Sequence, residues 1–489
     1  ELFTSLNHAS LKLGEATIYR SLCYPLNSID HLIAKQTAIK ELQNDKPTLD
    51  NAQKIIEEAK NDEKYLYQLF YGKFLGALSN AQLKNEVDGF GYESYKRGTR
   101  FFLNLVAGIK QSPQPQSGYL QQIFNTLSDF SNSRAFSLME GPVYRGEKGI
   151  QSKQDRQGSF SPAFRFKPTL FKPFFILGVI ALLMLLGYFY PSGLFGASSQ
   201  AVPIVSIFGF PLLLIYIPVV GSYDRDSCVY PLRDEFKTSP EVQKTLDALG
   251  KLDELIAFIK YSENYGTYSL LPTMIPAENH QLDIVNANNP VLGYQNPEYV
   301  PNSLSLTTER IAFITGPNSG GKTAFCKTIT QIQLLAQIGC FVPASSAKLS
   351  VADKIYYQVP VISHLNDGEG RFGTELRRTK EIFTNTTSNS LVILDELSEG
   401  TTFEEKMENS INILEGFYHK GNNTILITHN HQLVDHFIDA ETGIARQVEF
   451  KNDQATFRLI QGISRISHAD KVAKRIGFSK EDIKNLLQK

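Results

Sequence analysis

The stretch RIAFITGPNSGGKT, residues 310–323, decides the fold of this chain. Its first six residues form an apolar run typical of a buried β-strand, and the next eight match the pattern GxxxxGK[ST]. Ala324–Ile338 continues as a helix, so the motif has the strand–loop–helix context that it requires. The sequence therefore predicts a phosphate-binding loop built from Gly316, Pro317, Asn318, Ser319, Gly320, Gly321, Lys322 and Thr323.

The residue types in this loop suit a bound nucleotide. Glycines let backbone N–H groups approach phosphate oxygens, which also face the N-terminus of a helix. Lys322 would neutralise charge on the β- and γ-phosphates, and Thr323 would ligate Mg²⁺. We therefore expect a nucleotide and Mg²⁺ at this loop.

A second segment supplies the acidic side chains that such a site needs. SLVILDE, residues 390–396, predicts a central parallel strand with Asp395 at its C-terminal end, where α/β proteins bind ligands. Asp395 would hold Mg²⁺ directly or through water, and Glu396 would orient or deprotonate the attacking water. A helix cap is the alternative role of an Asp-Glu pair after a strand.

A third apolar run, TILIT at residues 424–428, predicts another buried strand, and His429 follows it. At the end of a parallel strand beside the loop, this histidine would sense the γ-phosphate. A purely structural histidine is the alternative, because the functional role rests on position alone.

The middle of the chain has an unusual composition. Residues 173–223 contain no Asp, Glu, Lys, Arg or His, and two apolar runs lie there, at about 173–190 and 202–220. Their lengths match the about 17–25 residues of a membrane-spanning helix. Basic residues flank the stretch on both sides, so the positive-inside rule places both long parts of the chain in the cytoplasm. We therefore predict a transmembrane hairpin, with a buried helical hairpin in a soluble core as the alternative.

Length and composition set broader limits. The 489 residues predict two or three domains, and the net charge of −1 predicts no polyanion partner from bulk electrostatics. The four cysteines have no metal-binding spacing and are interpreted as reduced thiols in a cytoplasmic protein. The chain begins at Glu1 without Met, so we expect that the natural N-terminus is missing.

Changes in composition and in the hydrophobic pattern divide the chain into four parts. Residues 1–144 are predicted to be a helical core or lever domain. Residues 145–230 are a polar linker and the hairpin. A returning lever helix occupies 231–274 and starts at Ser239-Pro240-Glu241, which combines a cap, a first-turn proline and an acid. Residues 275–489 alternate strands and helices, which indicates an α/β domain.

Four motifs together resemble the ATPase domain of the MutS family of DNA mismatch-repair proteins. They are TGPNSGGKT at 315–323, LLAQIGCFVPA at 334–344, LVILDELSEGTT at 391–402 and ITH at 427–429. The N-terminal Leu6-Asn7-His8 and Gly14 resemble the start of the family's core domain. The fold class that this implies is an α-helical core/lever domain with the inserted two-helix transmembrane hairpin, followed by an α/β P-loop ATPase domain of the ABC type.

The resemblance also implies roles for residues and partners. ATP would be hydrolysed with Mg²⁺, and Tyr299 and Val300 would lie against the adenine. A homodimer would build each composite site from two subunits. DNA would be a partner, and the sequence offers one modest basic surface for it, at Lys96, Arg97 and Arg100.

Several positions depart from the family pattern. We expect no mismatch-recognition domain before Glu1, with truncation of the chain as the alternative explanation, and the uncharged hairpin falls about where the family inserts its DNA clamp. The family's Ser-Thr-Phe signature, which reaches the partner's nucleotide, here reads Gly370-Arg371-Phe372, so a hydroxyl is absent. Ser398-Glu399 reverses a charge after the Asp-Glu pair, and Lys471 stands at a family His position.

These observations lead to one leading functional hypothesis. The chain is predicted to be a membrane-anchored, MutS-like ATPase in which ATP binding and hydrolysis drive rearrangement of a homodimer and its lever helices, with the lipid bilayer and DNA as partners. A nucleotide-switched scaffold with little turnover and no DNA binding is the main alternative. A transporter ATPase is disfavoured because the sequence has no LSGGQ-like signature before Asp395.

Overall fold

The computed structural model describes residues 1–76, 89–147, 149–156, 163–169, 178, 215–265, 268–296, 298–359, 370–397, 402–451, 454–465 and 476–487. The chain divides into two compact units. The helical unit comprises Ala9–Thr17 and Lys40–Ile256, and the sheet unit comprises Glu1–His8, Ile18–Ile39 and Ala257–Lys489. The four domain boundaries predicted from sequence stay predictions.

The helical unit is built mainly on two long amphipathic helices, Lys46–Tyr71 and Tyr92–Gln111, which pack side by side. Buried apolar residues recur at helical spacing on both, for example Ile55 and Ala59 on the first and Phe102 and Leu105 on the second. The other helices with residues in this unit are Lys12–Cys23, Ile29–Asn44, Gly118–Asp129, Arg134–Glu140, Tyr230–Thr238 and Pro240–Tyr265, with a 3₁₀ turn at Phe130–Asn132 and a π-helical turn at Arg225–Val229.

The described residues of the helical unit also form two small sheets. Lys73–Gly76 pairs in parallel with Gly89–Gly91. Val143–Gly146 is the central strand of an antiparallel sheet with Gly149–Gln151 and Phe164–Phe166.

The N-terminus of helix Lys12–Cys23 is capped by buried carboxylates from two other helices. Asp253 accepts hydrogen bonds from the backbone N–H groups of Ser10 and Leu11, the latter at 2.8 Å. Glu63 accepts from the backbone N–H groups of Lys12 and Leu13, each at 3.1 Å. The first N–H groups of a helix have no partner within it, and negative charge is favourable there, so both acids stabilise this start.

The sheet unit is organised around a six-stranded sheet with the order Ile355–Gln358, Leu391–Asp395, Asn423–Ile427, Ile311–Thr315, Gly443–Lys451 and Gln454–Gln461. All neighbouring pairs are parallel except the last, which is antiparallel. Strand Ile311–Thr315 is buried at every position. This burial explains its continuous apolar sequence, because a strand covered on both faces needs no polar alternation.

Helices cover this sheet and close one core. Phe313, Leu394 and Leu426 from three strands pack with Phe417 and Phe437 from two helices. This unit includes parts of three helices already given, Lys12–Cys23, Ile29–Asn44 and Pro240–Tyr265. Its other described helices are Leu2–Leu6, Leu292–Gln295, Lys322–Gln337, Gly370–Asn385, Phe403–Lys420, His431–Asp439 and Lys480–Leu487, with a 3₁₀ turn at Asn318–Gly320.

A second sheet of four strands has the order Thr273–Met274, Ser346–Leu349, Leu282–Ala287 and Asn302–Leu306. Thr273–Met274 pairs in parallel with Ser346–Leu349, and the other two neighbouring pairs are antiparallel. A short antiparallel pair, Ser269–Leu270 with Val342–Pro343, completes the strands of the sheet unit that the structure describes.

The predicted transmembrane hairpin, and with it the membrane location and the lipid bilayer as partner, requires correction. Among the described residues, no helix is both long enough and apolar enough to cross a membrane. From residue 215, where the described residues resume, the chain is helical and continues into Asp224, Arg225 and Asp226. The predicted helices at about 173–190 and 202–220 otherwise lie almost entirely outside the described residues.

Candidate nucleotide-binding site

The sheet brings the predicted functional segments to one edge. Strands Leu391–Asp395, Asn423–Ile427 and Ile311–Thr315 are parallel neighbours, and Asp395 is in register with Ile427. The residues that follow these strands therefore emerge side by side at their carboxyl ends, where open α/β sheets bind ligands.

The loop after strand Ile311–Thr315 has a backbone that requires glycine. Gly316 has φ +127° and Gly321 has φ +84°, both in the left-handed region that L side chains rarely adopt. At Gly320 the restriction is space, because a Cβ there would lie 2.7 Å from Val448 Cγ2. The loop then turns directly into helix Lys322–Gln337, for which Gly321 is the N-cap.

Lys322 is held inside the loop. Its Nζ donates to the carbonyl oxygens of Gly316 at 2.6 Å and Pro317 at 2.9 Å, and the residue is buried. Burial lowers the pKa of Lys322, while the nearby carboxylates of Glu396 and Asp395 oppose that shift. The ammonium group is thus partly desolvated and fixed at a helix N-terminus, which strengthens its interaction with an anion.

Thr323 and Asp395 meet across the loop. Thr323 Oγ1 donates to Asp395 Oδ2 at 3.2 Å, although the two residues come from different elements. A hydroxyl and a carboxylate this close are hard oxygen donors of the kind Mg²⁺ prefers, and Mg²⁺ commonly takes its remaining ligands from water and phosphate. Within the described ranges, no group of three His, Cys, Asp or Glu side chains could hold a metal ion. The pair therefore fits a cation that is bound together with a nucleotide.

Glu396 lies immediately beyond the strand in a strained conformation. Its φ is +65°, and its backbone N–H donates to the carbonyl of Ile427 at 2.9 Å. One carboxylate oxygen lies 3.6 Å from His429 Nε2, and the other lies 3.8 Å from Lys406 Nζ. The predicted general base is thus flanked by two side chains that can carry positive charge.

The segment predicted to contact the base lies beside the helix of the loop. The Tyr299 hydroxyl is 3.0 Å from Thr328 Oγ1, and burial raises the pKa of Tyr299. The carbonyl of Val300 accepts a hydrogen bond from Asn302 Nδ2 at 3.1 Å. Asn302 is itself buried, so this short segment is fixed.

Several other predicted residues cannot be compared with the site in full. Gly370 and Arg371 begin helix Gly370–Asn385, but the side chain of Arg371 lies outside the described part, as does that of Asn318. Residues 398–401 and 466–475, with Ser398, Glu399 and Lys471, are also outside it. In the helical unit, Arg97 pairs with Asp62 and Lys96 with Glu93, so much of the predicted basic surface is neutralised.

Three residues at the site escape prediction from sequence. Lys406 approaches Glu396 from helix Phe403–Lys420, Val448 packs against the loop glycines, and Asn302 holds the Val300 segment. Lys406 and Val448 belong to no recognisable motif; Asn302 lies in a segment, 300–302, that resembles the MutS family, but its contacts are not evident from sequence. Each contact arises because distant strands and helices meet at one edge of the sheet.

The fold and the loop together are typical of the α/β class of P-loop domains. Within that class, residues 312–488 match MutS domain V. This match and the curated relatives below show that about half of the chain is similar to MutS proteins.

The relatives are bacterial proteins named for mismatch repair or as an endonuclease. The chain is 32% identical to the DNA mismatch repair protein MutS of Parabacteroides distasonis over 257 residues, which is 50% of this chain and 29% of the relative. It is 30% identical to MutS of Prochlorococcus marinus strain AS9601 over 254 residues, 50% of this chain and 28% of the relative. It is 33% identical to Endonuclease MutS2 of Thermus thermophilus over 247 residues, 50% of this chain and 32% of the relative. The chain thus spans less than a third of these relatives.

Proposed function

We propose that the chain is a MutS-like ATPase that binds ATP on the loop 316–323 and hydrolyses it with Glu396 as the residue that activates water. The meeting of Thr323 Oγ1 and Asp395 Oδ2 at 3.2 Å, beside the buried ammonium of Lys322, carries this proposal. It brings a carboxylate from a strand to a hydroxyl and a cation at one helix N-terminus, as phosphoryl transfer requires.

The residues would act as follows. Backbone N–H groups of the loop and Lys322 bind the β- and γ-phosphates, while Tyr299 and Val300 position the adenine. Thr323 and Asp395 would hold Mg²⁺, which when bound neutralises charge on the phosphates. Glu396 takes a proton from water as the water attacks the γ-phosphorus and the bond to the leaving ADP oxygen breaks. His429 orients the Glu396 carboxylate and senses the γ-phosphate.

Binding of ATP with and without Mg²⁺ tests the site. We expect Lys322→Ala to weaken ATP binding at least about tenfold in both conditions, because a buried charge-assisted contact is worth more than about 1.4 kcal/mol. Asp395→Asn should weaken binding only when Mg²⁺ is present. If both variants bound ATP–Mg²⁺ as the wild type does, the site would be assigned wrongly.

The partners proposed for the chain are a second copy of itself and DNA. The names of the relatives support DNA, but the paired Arg97 and Lys96 leave little unpaired charge at the basic surface predicted for it. Fluorescence anisotropy of a labelled duplex across a salt series, with and without ATP, tests this partner. The affinity for DNA should fall steeply with salt if the protein contacts phosphates. Lack of binding at low salt would exclude DNA as a partner.

Light scattering in the presence of ATP tests the proposed homodimer. A monomer at all protein concentrations would contradict it.

A nucleotide-switched scaffold with little turnover is the second candidate. The observation that favours it is the position of Lys406 beside Glu396, because an ion pair competes with water for the carboxylate. In this case, Lys406→Met should raise the rate of ATP hydrolysis several-fold without changing ATP affinity. The control is Lys348→Met, which removes an exposed lysine of the same unit. A hydrolysis rate that is unchanged or lower in Lys406→Met would show that the ion pair with Lys406 does not limit turnover.

A further inference from the structure

Phe457 lies in an irregular part of the sheet edge. Strand Gln454–Gln461 pairs with Gly443–Lys451, but the register shifts between Val448, opposite Leu459, and Phe450, opposite Ala455. The three residues 456–458 therefore oppose a single residue. Such bulges re-aim a side chain and are common next to functional sites.

The backbone of Phe457 is strained, and a buried side chain holds it. Its φ of +60° is unfavourable for an aromatic residue. Asn302 Nδ2 donates to the Phe457 carbonyl at 2.9 Å, and Asn302 Oδ1 accepts from the Leu459 N–H at 2.6 Å. Strain maintained in this way is typical of functional positions.

The bulge places an aromatic ring at the nucleotide loop. Phe457 Cδ1 lies 3.3 Å from the position that a Cβ on Gly321 would occupy, and the residue is 51% exposed. The same Asn302 Nδ2 also donates to the Val300 carbonyl, so Phe457 and the segment proposed to contact adenine are joined through one side chain. The ring therefore lies near the loop, and the backbone of the same residue is tied to the base-contacting segment.

We propose that Phe457 is a further nucleotide-binding residue, whose ring covers the adenosine part of a nucleotide bound on the loop. An apolar ring offers little to phosphate oxygens, whereas it stacks favourably on a base. This inference rests on the proposed nucleotide site. It adds a determinant of affinity for the adenosine part that is separate from the phosphate contacts of Lys322.

Comparison of two ligands separates this role from simple support of the loop. Binding of ATP and of inorganic tripolyphosphate to the full chain is measured for the wild type, Phe457→Ala and Phe457→Tyr. We expect Phe457→Ala to weaken ATP binding about tenfold, since base stacking is worth about 1–3 kcal/mol. Tripolyphosphate binding should stay within about twofold, and Phe457→Tyr should restore ATP binding.

Controls keep the test decisive. Phe457→Gly removes the ring and also relieves the left-handed strain, so it should fold and show the same selective loss. Tyr24→Ala removes another exposed aromatic ring of the same unit and should change neither affinity. Equal weakening of both ligands, or no weakening of either, would overturn the role of Phe457. If the wild type bound neither ligand, the proposed nucleotide site itself would be wrong, and this inference with it.

Discussion

At the scale of single residues, the loop depends on space as much as on charge. Lys322 supplies the cation, but Gly320 supplies room, because Val448 lies against it from the neighbouring strand. The glycines of the motif GxxxxGK[ST] are therefore needed for packing of the loop on the sheet as well as for phosphate contacts.

Replacement of Gly320 tests this packing argument. A Cβ there would meet Val448 Cγ2 at 2.7 Å and Cγ1 at 3.0 Å. We expect Gly320→Ala to weaken ATP binding at least about tenfold, through a shift of the loop that costs about 1–3 kcal/mol. Val448→Ala removes both clashing methyl groups, so the double variant should recover most of the affinity. Val448→Ala alone is the control; a double variant as weak as Gly320→Ala would contradict the argument.

At the scale of elements, the capped start of helix Lys12–Cys23 shows how distant segments are matched. Gly14 allows Asp253 to reach the N–H groups of Ser10 and Leu11, because a Cβ on Gly14 would lie 2.1 Å from Asp253 Oδ2. The family resemblance singled out Gly14, but only the structure gives the reason.

Gly14→Ala should therefore destabilise the protein. Displacement of the carboxylate leaves buried N–H groups without their acceptor, which costs about 2–4 kcal/mol together with the steric strain. Gly118→Ala is the matched control, since nothing lies within 4 Å of its added Cβ. Urea unfolding of both variants measures the difference. If Gly14→Ala and Gly118→Ala had equal free energies of unfolding, the Asp253 carboxylate could move without loss of stability, which would contradict the prediction.

A buried polar contact between elements predicts a pH dependence. His280 Nδ1 lies 3.0 Å from Asn423 Nδ2, and burial lowers the pKa of His280 to about 4. An unfolded histidine titrates near 6.5, so between these values the unfolded chain binds more protons and stability falls as the pH drops. As the pH falls from 7 to 5, the titration of His280 should lower the free energy of unfolding by about 2 kcal/mol.

Urea unfolding at the two pH values measures this cost. His280→Gln removes the titrating group. Between pH 7 and pH 5, its free energy of unfolding should therefore fall by about 2 kcal/mol less than that of the wild type. An NMR titration of the His280 ring gives an independent reading, because it needs only the wild type. A ring pKa near 6.5 in the folded protein, or equal pH dependence of both proteins, would refute the assignment.

At the scale of the whole molecule, the sequence predicts what local patterns encode. Continuous apolar runs predicted strands Ile311–Thr315, Leu391–Asp395 and Asn423–Ile427, and the structure confirms them. The contacts of Lys406 and Asn302 could not be predicted, because they depend on how the chain returns to the sheet edge.

The prediction of a membrane hairpin was wrong for a related reason. Hydropathy reports composition alone, and a span also requires an apolar helix of sufficient length, which the described residues do not contain. The match of residues 312–488 to MutS domain V does not depend on that hairpin. The ATPase activity, the DNA partner and the homodimer are proposals.

Hydrolysis by Glu396→Gln tests the central claim most directly. Single-turnover hydrolysis of ATP–Mg²⁺ and ATP affinity are measured for the wild type and this variant, which keeps the shape of the side chain but cannot accept a proton. The account predicts unchanged affinity and hydrolysis that is slower by about 10²-fold or more, as expected for loss of a general base. Equal rates of hydrolysis in the two proteins would contradict it.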